Sequence, residues 1–381
     1  MPIFAPMIIG VSAIGISLDS PADTANACTE LTLRMCLQHP EHSFIFFFDG
    51  PVPPQLALPA NATAVEVPLK AASLWRRQWW LQWQLPRAMK RYSPDVFLAM
   101  DGRVSLRSTI PSLLFIRDLF FLHEVVGEPL NWQRFLQRQT QKYLAKAAKV
   151  LVPSASLETE LLQYAPATAA KLNILPAAIH ESYKPLSWDE REAVKKEYTD
   201  GVEYFIVTAA LHPRNNITPL LKAFSAFKRR LRSNMKLVLA GSATAAGQEI
   251  AASLRTYKFR QDVIWLQEVD QPTLAKLTAA AYAMVYSTRT AGVALPIYAA
   301  IRCQVPVIAI DGPAAREAGK DAVLYTDPEN LEDLADKLGL LYKDEQLRSR
   351  LLNNMEALPL PGSWDHSAAL LFDQLISTSA H

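Results

Sequence analysis

Two doubly wound α/β domains facing a cleft are the fold that this 381-residue sequence predicts. Three observations carry it. Short, nearly continuous apolar runs alternate with longer helical patterns, as in parallel sheets covered on both faces. The alternation occurs twice, on either side of a polar, proline-containing stretch. The length allows two domains with a full core in each.

In the first half, Met7 to Ile16 reads as a buried strand and its turn. The apolar start from Met1 to Leu18 carries no acid or base, so it lacks the charged lead of a signal peptide. Pro2, Pro6, Gly10 and Gly15 also argue against a spanning helix. Ser43–Asp49, Val96–Met100, Ser112–Ile116 and Val150–Val152 are further buried strands. Between them, Thr24–Gln38, Leu74–Tyr92 and Trp132–Ala147 are each long enough for a helix.

The second half repeats the scheme. Its strands are Tyr204–Thr208, Met235–Gly241, Val263–Leu266, Ala283–Tyr286 and Val305–Ala309. Pro219–Leu231, Leu331–Leu341 and Glu345–Asn354 are its helices. Tyr183–Trp188 and a charged helix, Asp189–Tyr198, form the hinge region. Two such halves would place a cleft at the carboxyl ends of both sheets, where ligands bind.

Composition excludes several function classes. Half the residues are apolar and 20% charged, as in a globular protein. Lys and Arg total 39 against 37 Asp and Glu, a net charge of +2, so no global field draws the chain to nucleic acid. Three cysteines, Cys28, Cys36 and Cys303, make neither a disulfide framework nor a C-x-x-C pair, which points to a reducing cytoplasm. There is no G-x-G-x-x-G, Walker loop or G-x-S-x-G elbow. His39 and His42 have no further ligand at metal spacing and read as a surface turn.

Candidate site residues cluster after strand ends. Arg117 follows one strand and could donate to an anionic or hydroxyl-rich ligand, with Asp118 orienting it; the alternative is a salt bridge or loop cap. His212-Pro213-Arg214-Asn215-Asn216 enters a helix, where free backbone N–H groups and Arg214 suit a phosphate. Pro and Asn are equally ordinary turn residues. Ser242 follows Gly241, and Gly permits close backbone approach. Glu317 could take sugar or ribose hydroxyls, or could serve as a helix-terminal charge. Tyr286 to Ala300 has the layout of a ligand turn, with a strand, then Gly292, then Pro296 opening a helix. Trp75 to Trp83 packs four tryptophans beside Arg76 and Arg77. It reads as a helix whose Trp79, Trp80 and Trp83 face the core, or as a contact surface for a membrane or partner.

In order and spacing, these pieces resemble retaining GT-B glycosyltransferases of the family-4-like group, which extend cell-surface and capsular polysaccharides. The resemblance covers nearly the whole chain. It rests on Phe115–Leu122, Val152–Ser156, Leu211–Asn216, Lys236–Gly241, Gly292–Pro296, Arg316–Ala322, Asp327-Pro328 and Ser363-Trp364. It implies two Rossmann-like domains, 1–183 on the acceptor side and 184–362 on the nucleotide-sugar side. A C-terminal helix, 363–377, would cross back onto the first. It implies transfer of a hexose from a nucleotide-diphosphate sugar to an acceptor hydroxyl, with no metal or other cofactor. Arg and Lys would offset charge on the leaving diphosphate. The donor would meet Asn215, Ser242, Ala291, Gly292, Val293, Ala294, Ala299 and Glu317, and Arg117, Asp118 and Arg214 would be the catalytic positions. Partners would be a nucleotide sugar and a glycan or lipid-linked acceptor, at the cytoplasmic face of a membrane, with no nucleic acid.

This sequence departs from the family pattern at the functional positions. The family's His falls on Arg117 and its phosphate Lys on Asn215, with Arg214 kept beside it. The paired glutamates fall on Ala291 and Ala299, and a glycine falls on Ala209. Gly15 and Ser20–Asp23 stand where a Gly-Gly loop would be. A charge-assisted hydrogen bond contributes roughly 1.5–3 kcal/mol. Losing about three removes on the order of 5–9 kcal/mol, against about 8 kcal/mol for a micromolar ligand. The departures therefore leave two readings: an enzyme with a rebuilt donor site, or an inactive homologue that binds a partner or glycan.

Overall fold

A computed structural model describes residues 5–14, 24–54, 56–69, 74–123 and 130–379. Gly15 and the Ser20–Asp23 stretch lie outside the described residues. The first sheet contains β1 (Ile8–Ser12), β2 (Ser43–Phe48), β3 (Ala62–Glu66), β4 (Val96–Ala99), β5 (Ser112–Phe115), β6 (Lys149–Val152) and β7 (Leu172–Ile174). All pair in parallel, in the order β3-β2-β1-β4-β5-β6-β7. Around it run α1 (Thr24–Gln38), α2 (Leu74–Trp79), α3 (Leu85–Tyr92), α4 (Leu130–Lys146) and α5 (Ala155–Tyr164). A π-helical segment, Trp80–Gln84, joins α2 to α3.

Strand β2 shows why its run of aromatics is continuous. Successive strand residues point to opposite faces. Phe44, Phe46 and Phe48 enter the core under α1, while Ile45 and Phe47 enter the core under α3 and α4. A strand covered on both sides needs an apolar residue at every position.

The second sheet contains β8 (Tyr204–Thr208), β9 (Lys236–Ala240), β10 (Val263–Leu266), β11 (Ala283–Tyr286), β12 (Val307–Ile310) and β13 (Val323–Thr326). Its order is β10-β9-β8-β11-β12-β13, again parallel. Its helices are α6 (Trp188–Thr199), α7 (Ile217–Leu231), α8 (Gln248–Thr256), α9 (Gln271–Ala280), α10 (Leu295–Arg302), α11 (Pro313–Gly319), α12 (Leu331–Lys343) and α13 (Glu345–Glu356). The charged helix of the hinge region is α6. It starts on a capping box, in which Ser187 accepts from the Glu190 amide and Glu190 accepts from the Ser187 amide.

The last helix, α14 (Trp364–Ser379), returns to the first domain. Trp364, Ala368, Leu371 and Leu375 recur at helical spacing and pack into the core with Ile9, Phe44 and Leu113. Ser367 Oγ donates to the Pro176 carbonyl at 2.8 Å, and Arg34 pairs with Asp365 at 3.1 Å.

The helix from Leu74 to Tyr92 corrects one expectation. Of Trp79, Trp80 and Trp83, only Trp80 is buried, and its indole donates to the Val67 carbonyl. Trp79 and Trp83 are exposed, as is Trp75. The wider π turn changes the phase of the helix. Trp80, Leu81, Leu85 and Met89 keep the core face, and the other tryptophans turn outward.

Truncation tests the returning helix. Leu371→Ala should lower stability by about 2–5 kcal/mol, because Leu371 is fully buried. Leu340→Ala, at a largely exposed position, should change it by about 0.5 kcal/mol or less. Chemical denaturation of the two variants checks the difference.

Candidate functional site

In a doubly wound sheet, the crevice opens where strand order reverses. In the first domain that point lies between β1 and β4. Ser12, the last residue of β1, donates to Asp101 Oδ1 at 3.2 Å. Arg103 Nε lies 3.3 Å from Asp101 Oδ2. Burial pushes the Asp101 carboxyl above its ordinary value, and the charges of Arg103 and Arg117 pull it back. Asp101 is thus a buried carboxylate, within electrostatic reach of Arg117, that the sequence reading missed. The signal was present, since Asp101 follows the end of a recognised strand, as Asp118 does.

In the second domain the reversal lies between β8 and β11, and protein groups fill it. Asn215 is buried; its Nδ2 donates to the Ala210 carbonyl at 2.8 Å. Its Oδ1 accepts from Thr288 Oγ1 at 3.1 Å, and its carbonyl accepts from Ser287 Oγ at 2.6 Å. Asn216 donates to the Ser287 carbonyl at 2.9 Å. Asn215 thus ties two strand ends together. His212 is the cap of this loop. Its Nδ1 accepts from the Arg214 amide at 3.1 Å, and burial, then Arg214, lower its pKa, which keeps that nitrogen free to accept. Arg214 itself reaches out, its guanidinium 5.6 Å from the Phe120 ring of the first domain.

Ser242 is half-buried at the carboxyl end of β9. Before it, Gly241 holds φ +151°, and a Cβ there would meet the Ala209 carbonyl oxygen at 2.5 Å. Only glycine fits that approach.

The domains meet at Gly292. A Cβ on this residue would lie 1.8 Å from the Arg117 carbonyl oxygen and 2.8 Å from Leu157. Ser154 Oγ donates to the Gly292 carbonyl. Val293 and Ala294 are buried behind it. Beside this contact, Glu317 accepts from the Ala155 amide at 3.0 Å and the Ser156 amide at 2.7 Å. Those amides open α5, so a carboxylate of the second domain caps a helix of the first. Sequence reasoning assigned Glu317 to ligand hydroxyls or a helix-terminal charge. The structure places it at a helix terminus, but one in the opposite domain.

A cavity of about 390 Å³ lies between the domains. Asp118, Phe120, His123 and Glu160 line it from the first domain, and Thr288, Arg289, Thr290 and Ala291 from the second. Arg117 and Asp118 diverge: Asp118 faces this cavity, while Arg117 lines a small apolar pocket with Pro176, Val293 and Trp364. Ala291 and Ala299 diverge too. Ala291 borders the cavity, whereas Ala299 is sealed in the core of the second domain. Arg289 pairs with Glu329. His123 Nε2 lies 2.7 Å from Glu160 Oε1, and this hydrogen bond raises the imidazole pKa against the lowering effect of burial. Among the described residues, no three or more His, Cys, Asp or Glu side chains group to hold a metal.

Two outcomes follow from this geometry. Gly292→Ala should push the domains apart and lower stability by roughly 1–3 kcal/mol, seen as a lower melting temperature and a larger radius of gyration in solution scattering. Glu160→Gln should bring the His123 pKa down toward its ordinary 6.5, read by NMR titration of the imidazole. The raised folded pKa means that the pair stabilises the fold fully below the unfolded value. That contribution fades as pH rises through the folded value, so the variant's stability deficit should be largest on the acid side.

Comparison with known proteins agrees with the architecture. Residues 189–357 match the family described as Glycosyl transferases group 1. An O-antigen chain mannosyltransferase B of Escherichia coli is 25% identical over 222 residues, 58% of this chain and 58% of that protein. The match thus spans little more than half of that relative. WaaG, a glycosyltransferase involved in lipopolysaccharide biosynthesis, superposes with a TM-score of 0.74 at 14% identity, over 96% of this chain and 99% of that one. Anabaena Alr3699/HepE, in complex with UDP and glucose, superposes with a TM-score of 0.73 at 14% identity, over 98% and 100%. The chain carries the two-domain GT-B architecture seen in solved glycosyltransferases, and its second domain matches the glycosyl transferases group 1 model.

Proposed function

We propose that this protein is a glycosyltransferase that moves a hexose from a nucleoside-diphosphate sugar to a hydroxyl of a glycan or lipid-linked acceptor. Its place is the assembly of surface polysaccharide or glycoconjugate, at the cytoplasmic face of a membrane. No helix among the described residues is long and apolar enough to cross one. The observation that carries the proposal is the cavity at the carboxyl ends of two facing parallel sheets, in a chain whose second domain matches this family. The UDP and glucose held by the HepE structure and the mannosyl transfer named for the O-antigen relative support the donor class.

In this reaction the bond from the sugar's anomeric carbon to the diphosphate breaks, and a bond to the acceptor oxygen forms. The leaving diphosphate gains negative charge. In the proposal, Arg214 and Arg289 offset that charge in place of a metal ion, within a cavity of reduced dielectric. Thr288, Thr290 and Asp118 meet hydroxyls of the donor. This grip differs from the one the family resemblance implies, because Asn215 and Ala299 face inward and Glu317 is engaged with α5. The acceptor hydroxyl loses its proton to a carboxylate or to the departing phosphate oxygen.

A thermal-shift screen with uridine, guanosine, adenosine and thymidine diphosphates and their sugars checks the reading. A matching ligand at about 100 times its dissociation constant should add about 2.7 kcal/mol. Arg214→Gln should erase most of that gain. If no nucleotide or sugar nucleotide shifts the melting temperature at saturating concentration, the enzyme reading falls and the inactive-homologue reading replaces it.

A further inference from the structure

We propose that the face formed by α2, the π-helical segment, α3 and α4 is a docking surface for anionic phospholipid. Trp75, Trp79 and Trp83 are 85%, 53% and 43% exposed, an unusual placement for the residue type with the largest apolar area. They recur every four residues. In an α-helix four residues overshoot a turn, so such a stripe would drift around the axis. The wider π turn from Trp80 to Gln84 limits that drift and keeps Trp79 and Trp83 in register. Trp80 and Leu81 anchor the same segment in the core, so the exposed indoles stand on a fixed support.

Charge singles out the occupant. From Leu74 to Tyr92 the exposed cations are Arg76, Arg77, Arg87, Lys90 and Arg91, with no Asp or Glu. Along α4 they are Arg134, Arg138, Lys142 and Lys146, again with no acid. Gln78 Nε2 donates to Tyr143 Oη at 2.9 Å, which links α2 to α4, and the π-helical segment and α4 pack into the same core cluster on one side of the first sheet. The whole chain is nearly neutral, at +2, so this all-cationic pair of helices is a local departure. Arg107 lies 3.5 Å from the Trp83 ring centre and adds a further cation at its edge. Tryptophan settles at the water–lipid boundary, and clustered Lys and Arg are drawn to acidic headgroups. Indoles and cations interleaved on an outward helix face suit that boundary rather than a pocketed protein partner.

This inference does not depend on the donor chemistry, and its test reads a different quantity. The purified full chain is sedimented with phosphatidylcholine vesicles, with or without phosphatidylglycerol. Binding is expected only with phosphatidylglycerol, and high salt should release it. Arg76→Gln with Arg77→Gln should lower the partition coefficient about 25-fold, at about fivefold per cation. Trp75→Ser, Trp79→Ser and Trp83→Ser together should lower it about tenfold or more. Both variants should keep the wild-type melting temperature and nucleotide response. The inference is overturned if phosphatidylglycerol vesicles fail to bind the protein, or if both variants bind as the wild type does; an acidic protein partner would then be the remaining occupant.

Discussion

The approach of Gly292 to the Arg117 carbonyl is the constraint on which the rest of the site depends. Two independent sheets, each with its own cores, touch there backbone to backbone. A methyl group would hold them apart. Because the contact is that close, Ser154 reaches the Gly292 carbonyl, and Glu317 reaches the amides that open α5. Neither bond forms unless the domains are this near. The contact fixes the width of the cavity beside it, and with that the distance between groups that no single domain brings together.

Within this frame, the polar residues at the strand ends divide into two sets. Asn215, Asn216, Ser287 and Glu317 spend their hydrogen bonds on the protein. Buried polar groups that are satisfied in this way hold loops rigidly. Asp118, Arg214, Arg289 and Thr290 remain beside the cavity or the opposite domain. The first set makes the second reliable, because Thr288 is positioned through Asn215 and Arg214 through the His212 cap. Asn215 thus acts as an internal brace between the strand ends.

Much of the fold was legible because both sheets are buried on both faces. Thr24–Gln38, Tyr204–Thr208, Val263–Leu266 and Ala283–Tyr286 were identified with the bounds that the structure has. Helices α5, α8 and α9 and strand β13 escaped, as did two strands with weaker patterns. Edge strand β3 is partly exposed and mixes Thr and Glu with small residues, and β7 is only three residues long. The site was less legible than the fold. That Gly292 fits a close approach follows from residue type, but what it approaches does not. Glu317 was recognisable as a candidate helix-terminal charge, yet the helix it caps lies some 160 residues earlier in the chain. Asp101 was overlooked although it follows a strand end in the same way as Asp118. The tryptophan stripe was misjudged because α-helical spacing was applied across a π turn.

The return of α14 to the first domain has a mechanical consequence. The chain passes between domains twice, after β7 and before α14. The bond from Ser367 to the Pro176 carbonyl pins the two passages side by side. Arg117, Val293 and Trp364 gather around the same place. Two adjacent covalent crossings behave like the pins of a door hinge: they allow rotation about one line and resist twisting or sliding. Groups near that line, Gly292 among them, travel least as the domains turn, and groups farther from it travel most. The Gly292 contact lies near that line, so a rotation about it would displace this contact less than the opposite rim of the cleft.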